Sequence, residues 1–314
     1  MSMAGTARMP ARVVCIGHSA LDRVFTLDAW PAPGTSAKVS AKGYVETGGG
    51  MAANAAAAIA RLGGEAIFIG PVGDDSVADA MQADFERWGV DTADMRRLPG
   101  RRSSISAILV DARGERLIVN YRGDSIATGA EWLPLERIGN AGALLVDPRW
   151  LAGAGAALRH ARANGVPTVL DADVAPAEAL AVLVPLADHV IFSEQGLAIF
   201  AAGRDDISAL RSVLESGAIV AGVTRGADGF EWMQRDSAER LRSLPAPRVE
   251  AVDTTGAGDV FHGAYALALA EGHGVEAAAA FSNAAAALKC TRPGTRAGAP
   301  TRTEVEQLLR GGAR

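Results

Sequence analysis

Short, almost wholly apolar runs alternate with amphipathic or alanine-rich segments along most of the chain, and this alternation constrains the fold more than any other feature. "RVVCIG", "AIFIGPVG", "GALLVDP", "PTVLDAD", "HVIFSE" and "AIVAGVTRG" are too short for ordinary helices and carry few polar residues on either face. Between them, "MAANAAAAIARLG", "SVADAMQADFERWGV" and "AGAALRHARANG" have helical spacing. Strands apolar on both faces belong to parallel sheets covered by helices on both sides. The sequence therefore predicts an α/β fold, with a mostly parallel central sheet between two helical layers.

Two stretches depart from that rhythm. Residues 23–46 and 103–122 alternate apolar and polar positions with turn residues between them, and "ILVDARGERLIVNY" reads as a hairpin around Arg113 and Gly114. These segments predict a small antiparallel sheet projecting from the main body, a candidate lid.

At 314 residues and 49% hydrophobic, the chain has ample material for a large core. A net charge of −5 argues against nucleic-acid or membrane-surface partners, and no uninterrupted apolar stretch is long enough to span a bilayer. The N-terminal segment leads from a polar stretch into "RVVCIG" and reads as a first strand, so a cytoplasmic location is expected. Cys15 and Cys290 have no metal-site spacing and are expected to be buried free thiols.

The stretch with the clearest chemistry is "VDTTGAGDVFHGA". Gly256, Ala257 and Gly258 leave backbone N–H groups open at the start of a helix, which is an anion site favoured by the helix dipole. Asp259, in the first turn, is better suited to accept a proton than to bind an anion. An anion hole beside a base suggests phosphoryl transfer to a hydroxyl. A dinucleotide fingerprint fails on spacing, because Gly256, Gly258 and Gly263 give GxGxxxxG, and no Walker sequence occurs.

"DTTGAGDVFHGA" resembles the C-terminal signature of the ribokinase-like (PfkB) carbohydrate kinases, and "ETGGGMAANAAAAIARLG" followed by "FIGPVGDD" resembles their N-terminal one. The blocks keep the family's order, and the resemblance covers about residues 11–310. It implies a ribokinase-like three-layer α/β/α sandwich over 11–312 with a β lid, ATP and Mg²⁺ as cofactors, and a homodimer formed through the lid. By the same resemblance, Asp259 is the catalytic base and Gly256, Ala257 and Gly258 form the anion hole. Asp22, Gly49, Gly50 and Asn54 match sugar-binding positions. Ser193, Glu194, Thr224, Gly226 and Gly229 match the nucleotide side, together with Gly258. Asp253 and Thr255, with carbonyls near Arg292, Gly294 and Gly298, match a monovalent-cation site for K⁺.

Two spans depart from the family pattern. Its Asn-x-x-Glu motif is replaced by Ser193-Glu194-Gln195-Gly196, so Glu194 acting through water, or ATP itself, is expected to hold Mg²⁺. Where many members carry a sugar-binding Glu, the chain reads Asp147-Pro148-Arg149-Trp150 and places Arg149. A guanidinium suits a sulfonate, phosphate or carboxylate, and Lys38 and Asn120 are expected to converge on the same group. The alternative for Arg149 is an ion pair with Asp147 or Glu194. "DPRW", "FSEQGLA" and "ALKCTRPGTRAG" resemble bacterial sulfofructose kinases, which implies 6-deoxy-6-sulfofructose phosphorylated at its 1-hydroxyl. Fructose, fructose 6-phosphate, ribose or a nucleoside remain open as substrates, as does a silent sugar-binding relative. His18 and His262 are expected to pack and hydrogen-bond, since a kinase needs no second base.

Overall fold

The computed structural model describes residues 11–30, 34, 38–238 and 240–311. Residues 31–33 and 35–37 of the expected lid segment, and residue 312 at the end of the expected kinase unit, lie outside the described residues. The first half of the chain runs β1 (Arg12–Ile16), β2 (Ala20–Thr26), β3 (Gly43–Gly49), α1 (Met51–Arg61), β4 (Glu65–Ile69), β5 (Pro71–Gly73), α2 (Ser76–Trp88), β6 (Arg96–Leu98), β7 (Ser104–Val110) and β8 (Arg116–Tyr121). It continues through α3 (Leu135–Gly139), β9 (Ala143–Val146), α4 (Leu151–Ala163), β10 (Thr168–Ala172), α5 (Ala177–Leu183), β11 (His189–Ser193), α6 (Glu194–Ala201) and α7 (Asp206–Glu215). The last part holds β12 (Val220–Thr224), β13 (Phe230–Gln234), β14 (Arg242–Leu244), α8 (Ala257–Ala270), α9 (Val275–Cys290) and α10 (Arg302–Gly311).

An eight-stranded sheet in the order β14-β13-β12-β11-β10-β9-β1-β4 forms the centre, and only β13 and β14 run antiparallel to their neighbours. The apolar runs owe their composition to this burial. Val13 and Cys15 of β1 face a core shared with α1, α2, α8, α9 and α10, whereas Val14 and Ile16 face the core under α3 to α7. Each strand thus feeds two cores by simple alternation, and the three layers follow.

The two irregular stretches form a four-stranded sheet in the order β3-β2-β7-β8. Its outer pairs, β2–β3 and β7–β8, are antiparallel as expected, and they are joined by a parallel pairing of β2 with β7. The β7–β8 turn closes on Asp111, whose carboxylate accepts the Arg113 and Glu115 N–H groups at 2.9 and 3.0 Å while Gly114 takes φ 81°. Alternation gives the sheet two faces. Asp22, Ser106, Ile118 and Asn120 look towards the central sheet, and Leu117, Val119 and Tyr121 lie on the other face, each about half exposed. Cys15 is buried, but Cys290, in the last turn of α9, is only partly so, which corrects the expectation of two buried thiols.

Candidate active site

A cavity of about 760 Å³ lies at the carboxyl ends of the parallel strands, roofed by the small sheet. Several predicted residues line it together: Asp22, Gly50, Asn54, Asn120 and Arg149 towards the small sheet; Ser193, Glu194, Thr224 and Gly226 at the ends of β11 and β12; and Thr255, Gly256, Gly258 and Asp259 at the start of α8.

Gly256 caps α8 in the left-handed conformation, φ 74°, and a Cβ there would meet the Thr295 side chain at 2.3 Å. This turn corrects one expected donor. The Ala257 N–H bends back to the Thr254 carbonyl at 3.2 Å and Ala257 does not line the cavity, so Gly256 and Gly258 are left as the open donors of the trio. Asp259 follows in the first turn, and its Oδ2 accepts the Asn54 amide at 2.7 Å. Burial, and then the neighbouring Asp171 carboxylate, push its carboxyl up to about 7.

Asn54 is itself held from behind. Buried Arg296 donates to Asn54 Oδ1 at 3.0 Å, to Asp84 Oδ2 at 2.5 Å and to the Gly49 carbonyl at 3.4 Å, with its guanidinium 4.6 Å from the Phe85 ring centre. A second organiser is Asp147 at the end of β9, fully buried, which accepts backbone N–H groups from His18, Ala52 and Arg149 at 3.0, 3.2 and 2.9 Å. It therefore ties the loop after β1 and the start of α1 to the strand end that carries Arg149. Gly17 is required there, since a Cβ would sit 2.2 Å from the Asp147 carboxylate.

The other expected residues fall into separate groups. Gly49 lies against Asp22, where a Cβ would come within 2.3 Å of the carboxylate. Gly229 makes the β12–β13 turn at φ 91° and touches the Leu244 carbonyl region, so both glycines shape the site and do not line it. Lys38 is exposed and is not among the lining residues, which removes it from the expected anion cluster. Arg149 makes no ion pair among the described residues: Asp147 is engaged by backbone donors, and the carboxylate of Glu194 lies 3.9 Å from Arg225. His18 Nε2 and Ser104 Oγ are 2.6 Å apart, and burial, then Arg149 and Arg122, lower the His18 imidazole to about 4. His262 is held against the Gly258 and Ile191 carbonyls at 2.7 and 3.2 Å.

Besides Arg296, sequence reasoning passed over four lining or supporting groups. Arg122 lines the cavity near His18. Asp171, at the end of β10, is buried with no well-formed hydrogen bond to its carboxylate, His262 Nδ1 lying 3.4 Å from Oδ2, and burial drives its carboxyl well above the ordinary range. Asp173 accepts the Ser193 hydroxyl at 2.6 Å. Lys289 is wholly buried and donates to the Asp253 carbonyl at 2.6 Å, with Asp253 Oδ2 at 3.5 Å. A monovalent ion does not fit the expected Asp253, Thr255, Arg292, Gly294 and Gly298 site, because an ammonium already occupies one of its carbonyls. Among the described residues no three His, Cys, Asp or Glu side chains converge tightly enough to bind a metal ion by themselves, but the Asp173 and Glu194 carboxylates border the nucleotide side and suit a hydrated magnesium that arrives with ATP.

The model of the pfkB family carbohydrate kinases matches residues 10–302. A ribokinase of Bacillus subtilis is 31% identical over 310 residues, covering 95% of this chain and 99% of its own. An ATP-dependent ribose-1-phosphate kinase of Halopiger xanaduensis is 32% identical over 303 residues, covering 95% and 98%. The crystal structure of an Agrobacterium tumefaciens protein described as a candidate ribokinase superposes with a TM-score of 0.90 at 38% identity, covering 97% of this chain and 99% of that one. Two signatures in order, an α/β/α body under a small sheet, and a carboxylate beside a glycine turn at a helix start all agree with that match: the chain belongs to the pfkB family of carbohydrate kinases.

Proposed function

We propose that the protein transfers the γ-phosphoryl group of ATP to a hydroxymethyl group of a ketose that carries an anionic group remote from the reacting hydroxyl. Sulfofructose (6-deoxy-6-sulfofructose), giving its 1-phosphate, is the leading candidate, with fructose 6-phosphate next. The observation that carries this reading is Arg149: a partly buried guanidinium lines the cavity in direct ion-pair contact with no carboxylate among the described residues, although the buried Asp147 and Asp171 carboxylates lie close enough to act on it. Arg122 lies close enough to act on the same buried histidine, so two positive charges border the sugar side beside Asn120. An unpaired guanidinium in a cavity is costly unless a ligand anion completes it, and its planar fork suits oxyanions. The Halopiger relative is named for a phosphorylated sugar.

In the reaction, Asp259 takes the proton of the hydroxymethyl group while its oxygen attacks the γ-phosphorus and the bond to the departing ADP oxygen breaks. Asn54 occupies Asp259 Oδ2 and leaves Oδ1 free for the hydroxyl. The Gly256 and Gly258 N–H groups receive the charge that develops on the phosphoryl oxygens. Asp22 binds sugar hydroxyls next to Ser106, and Thr224 and Gly226 lie at the strand end that receives the nucleotide phosphates. Asp173 and Glu194 would meet, through water, the magnesium that comes with ATP and supplies further neutralisation of phosphate charge. Closure of the small sheet excludes water, and its exposed Leu117, Val119 and Tyr121 favour pairing with a second copy into a homodimer.

The test is kcat/KM for sulfofructose, fructose 6-phosphate and fructose on the native protein and on Arg149→Met. A charge-assisted hydrogen bond contributes about 1.5–3 kcal/mol, so the native protein should prefer the anionic ketoses by more than about tenfold. Arg149→Met should erase most of that preference while sparing ATP binding. Equal or better use of fructose by the native protein would return Arg149 to a structural role.

A further inference from the structure

Lys289 lies in the last turn of α9, and its side chain is 0% exposed. A lysine so placed ordinarily extends its ammonium into water, because burying the charge costs several kcal/mol unless it is neutralised. Here the ammonium is turned inward onto the segment that leads into the anion turn. It donates to the Asp253 carbonyl at 2.6 Å and lies 3.5 Å from Asp253 Oδ2. The same aspartate accepts Thr255 N–H on Oδ1 and Gly294 N–H on Oδ2, both at 2.9 Å, while Val252 and Asp253 N–H groups donate to the Cys290 carbonyl at 2.7 and 3.1 Å. Two loops, 252–256 and 290–298, are thus clamped together around the buried ammonium, two residues before the Thr255–Gly256 corner. Half-exposed Arg116 of β8 reaches the outer side of the segment, donating to Thr255 Oγ1 and lying 3.9 Å from Asp253 Oδ1.

Gly298 shows how tightly the site is filled. A Cβ on it would lie 2.6 Å from the Gly294 carbonyl oxygen, 3.1 Å from that of Arg292 and 3.2 Å from Lys289 Cε. The Arg292 and Gly294 carbonyls, expected to face a monovalent ion, thus border Gly298 together with the end of the lysine stem; the Gly294 carbonyl accepts the Gly298 N–H at 3.0 Å, and the Asp253 carbonyl takes the ammonium. An ammonium and a potassium ion present the same charge to carbonyl oxygens, but the ammonium is covalently tethered and its occupancy does not depend on salt.

We propose that Lys289 is a built-in cation: it stands where the resemblance implies K⁺, holds the 253–256 segment in the geometry that opens the Gly256 and Gly258 donors, and makes phosphoryl transfer independent of potassium. The inference rests on the proposed kinase reaction for its rate arm and on the geometry alone for its binding arm. Lys289 is a positioning residue, since it acts on the phosphoryl group only through the turn.

The experiment compares native protein with Lys289→Ala and Lys289→Met, each in buffers of KCl, NH₄Cl or tetramethylammonium chloride at matched ionic strength. Melting temperature and sugar-dependent ADP release are both measured. Native protein should show the same rate and melting temperature in all three salts. Lys289→Ala, which leaves space at the carbonyls, should lose roughly tenfold or more in kcat in tetramethylammonium, the scale of one misaligned charge-assisted contact. It should regain rate and melting temperature in K⁺ or NH₄⁺, whereas Lys289→Met, which fills the space without charge, should regain neither. Potassium activation of the native protein, or a Lys289→Ala melting temperature indifferent to K⁺ and NH₄⁺, overturns the inference. If no sugar supports ADP release, the kinase reading fails and the melting arm still decides the cation. If neither variant folds, the salt response of the native protein decides it.

Discussion

Replacing Asp259 with Asn should make the protein a poorer enzyme and a more stable one, and the two effects share a cause. Burial and the Asp171 carboxylate raise the Asp259 carboxyl from its ordinary 3.8 to about 7. Because the folded-state value lies above the unfolded one, ionising Asp259 destabilises the fold. The penalty is absent below about pH 4, grows as pH rises towards 7, and is complete above about pH 8. At about 1.36 kcal/mol per tenfold step in the proton equilibrium, it is capped near 4 kcal/mol. Asp259 opens on the cavity and shares its titration with Asp171, so about half of that, roughly 2 kcal/mol, is a sounder expectation. Asn keeps the shape and still offers an oxygen to the Asn54 amide, which isolates the charge as the change. For a chain of this size the variant should melt about 3–6 °C higher than native protein at pH 8, with the gap closing towards pH 4. Its turnover should fall by at least roughly 10²–10⁴-fold, with ATP affinity held within a few-fold. In native protein, kcat/KM should rise with pH through a limb near 7 as the base loses its proton. Differential scanning calorimetry across pH, together with steady-state kinetics, tests all three. A pH-independent melting difference would refute the burial argument, and near-native turnover would remove Asp259 from the mechanism.

Three further outcomes follow from the geometry. Arg296→Met strips Asp84 of its buried partner and should cost about 3–5 kcal/mol in denaturant unfolding. Adding Asp84→Leu should recover much of the stability but not the kcat, because Asn54 is still unheld; full recovery of kcat would show that Arg296 serves only the fold. Lys38→Glu should leave the KM values for sugar and ATP within about twofold, the size of a solvated charge effect, and a tenfold rise in sugar KM alone would bring Lys38 back over the cavity. Charges placed at Leu117 and Val119 should halve the molar mass measured by light scattering, whereas a native protein already monomeric would contradict lid pairing.

What could be read in advance from the chain depended on whether a signal was local. The run "ALLV" is apolar at every position because β9 is buried on both faces between β1 and β10, so composition alone identifies it. The Asp111 turn and its hairpin were equally legible, since the stabilising bonds span at most four residues. The parallel pairing of β2 with β7 was not, because it joins segments some eighty residues apart and alternation looks the same in either direction. Ala257 was misjudged for a finer reason. A glycine turn promises free N–H groups, but which of them stays free depends on the left-handed φ of Gly256 and on where the Thr254 carbonyl lies.

The buried charges were the hardest to foresee, and they account for most of the support behind the site. Arg296 in "PGTRAGAP" and Lys289 near a helix end both look like solvated surface residues in sequence, since Lys and Arg are seldom buried unless paired. Their partners are Asp84 and Asn54, 212 and 242 residues away, and Asp253, 36 residues away. Such separations leave no periodicity to detect. Both place a cation one step behind a group that the proposed reaction uses: Arg296 behind the Asn54 amide that meets Asp259, and Lys289 behind the segment that leads into Gly256. A cavity that brings ATP and the proposed anionic sugar together with four aspartates, Asp22, Asp171, Asp173 and Asp259, is short of positive charge. Arg149 and Arg122 supply it on the sugar side, where a ligand can complete them. On the catalytic side a free cation would compete for Asp259, so the positive charge is held out of the cavity and acts through an amide and a turn. An arginine or lysine moved forward into contact with Asp259 would pull its carboxyl back down from about 7 and blunt the base that the turn serves.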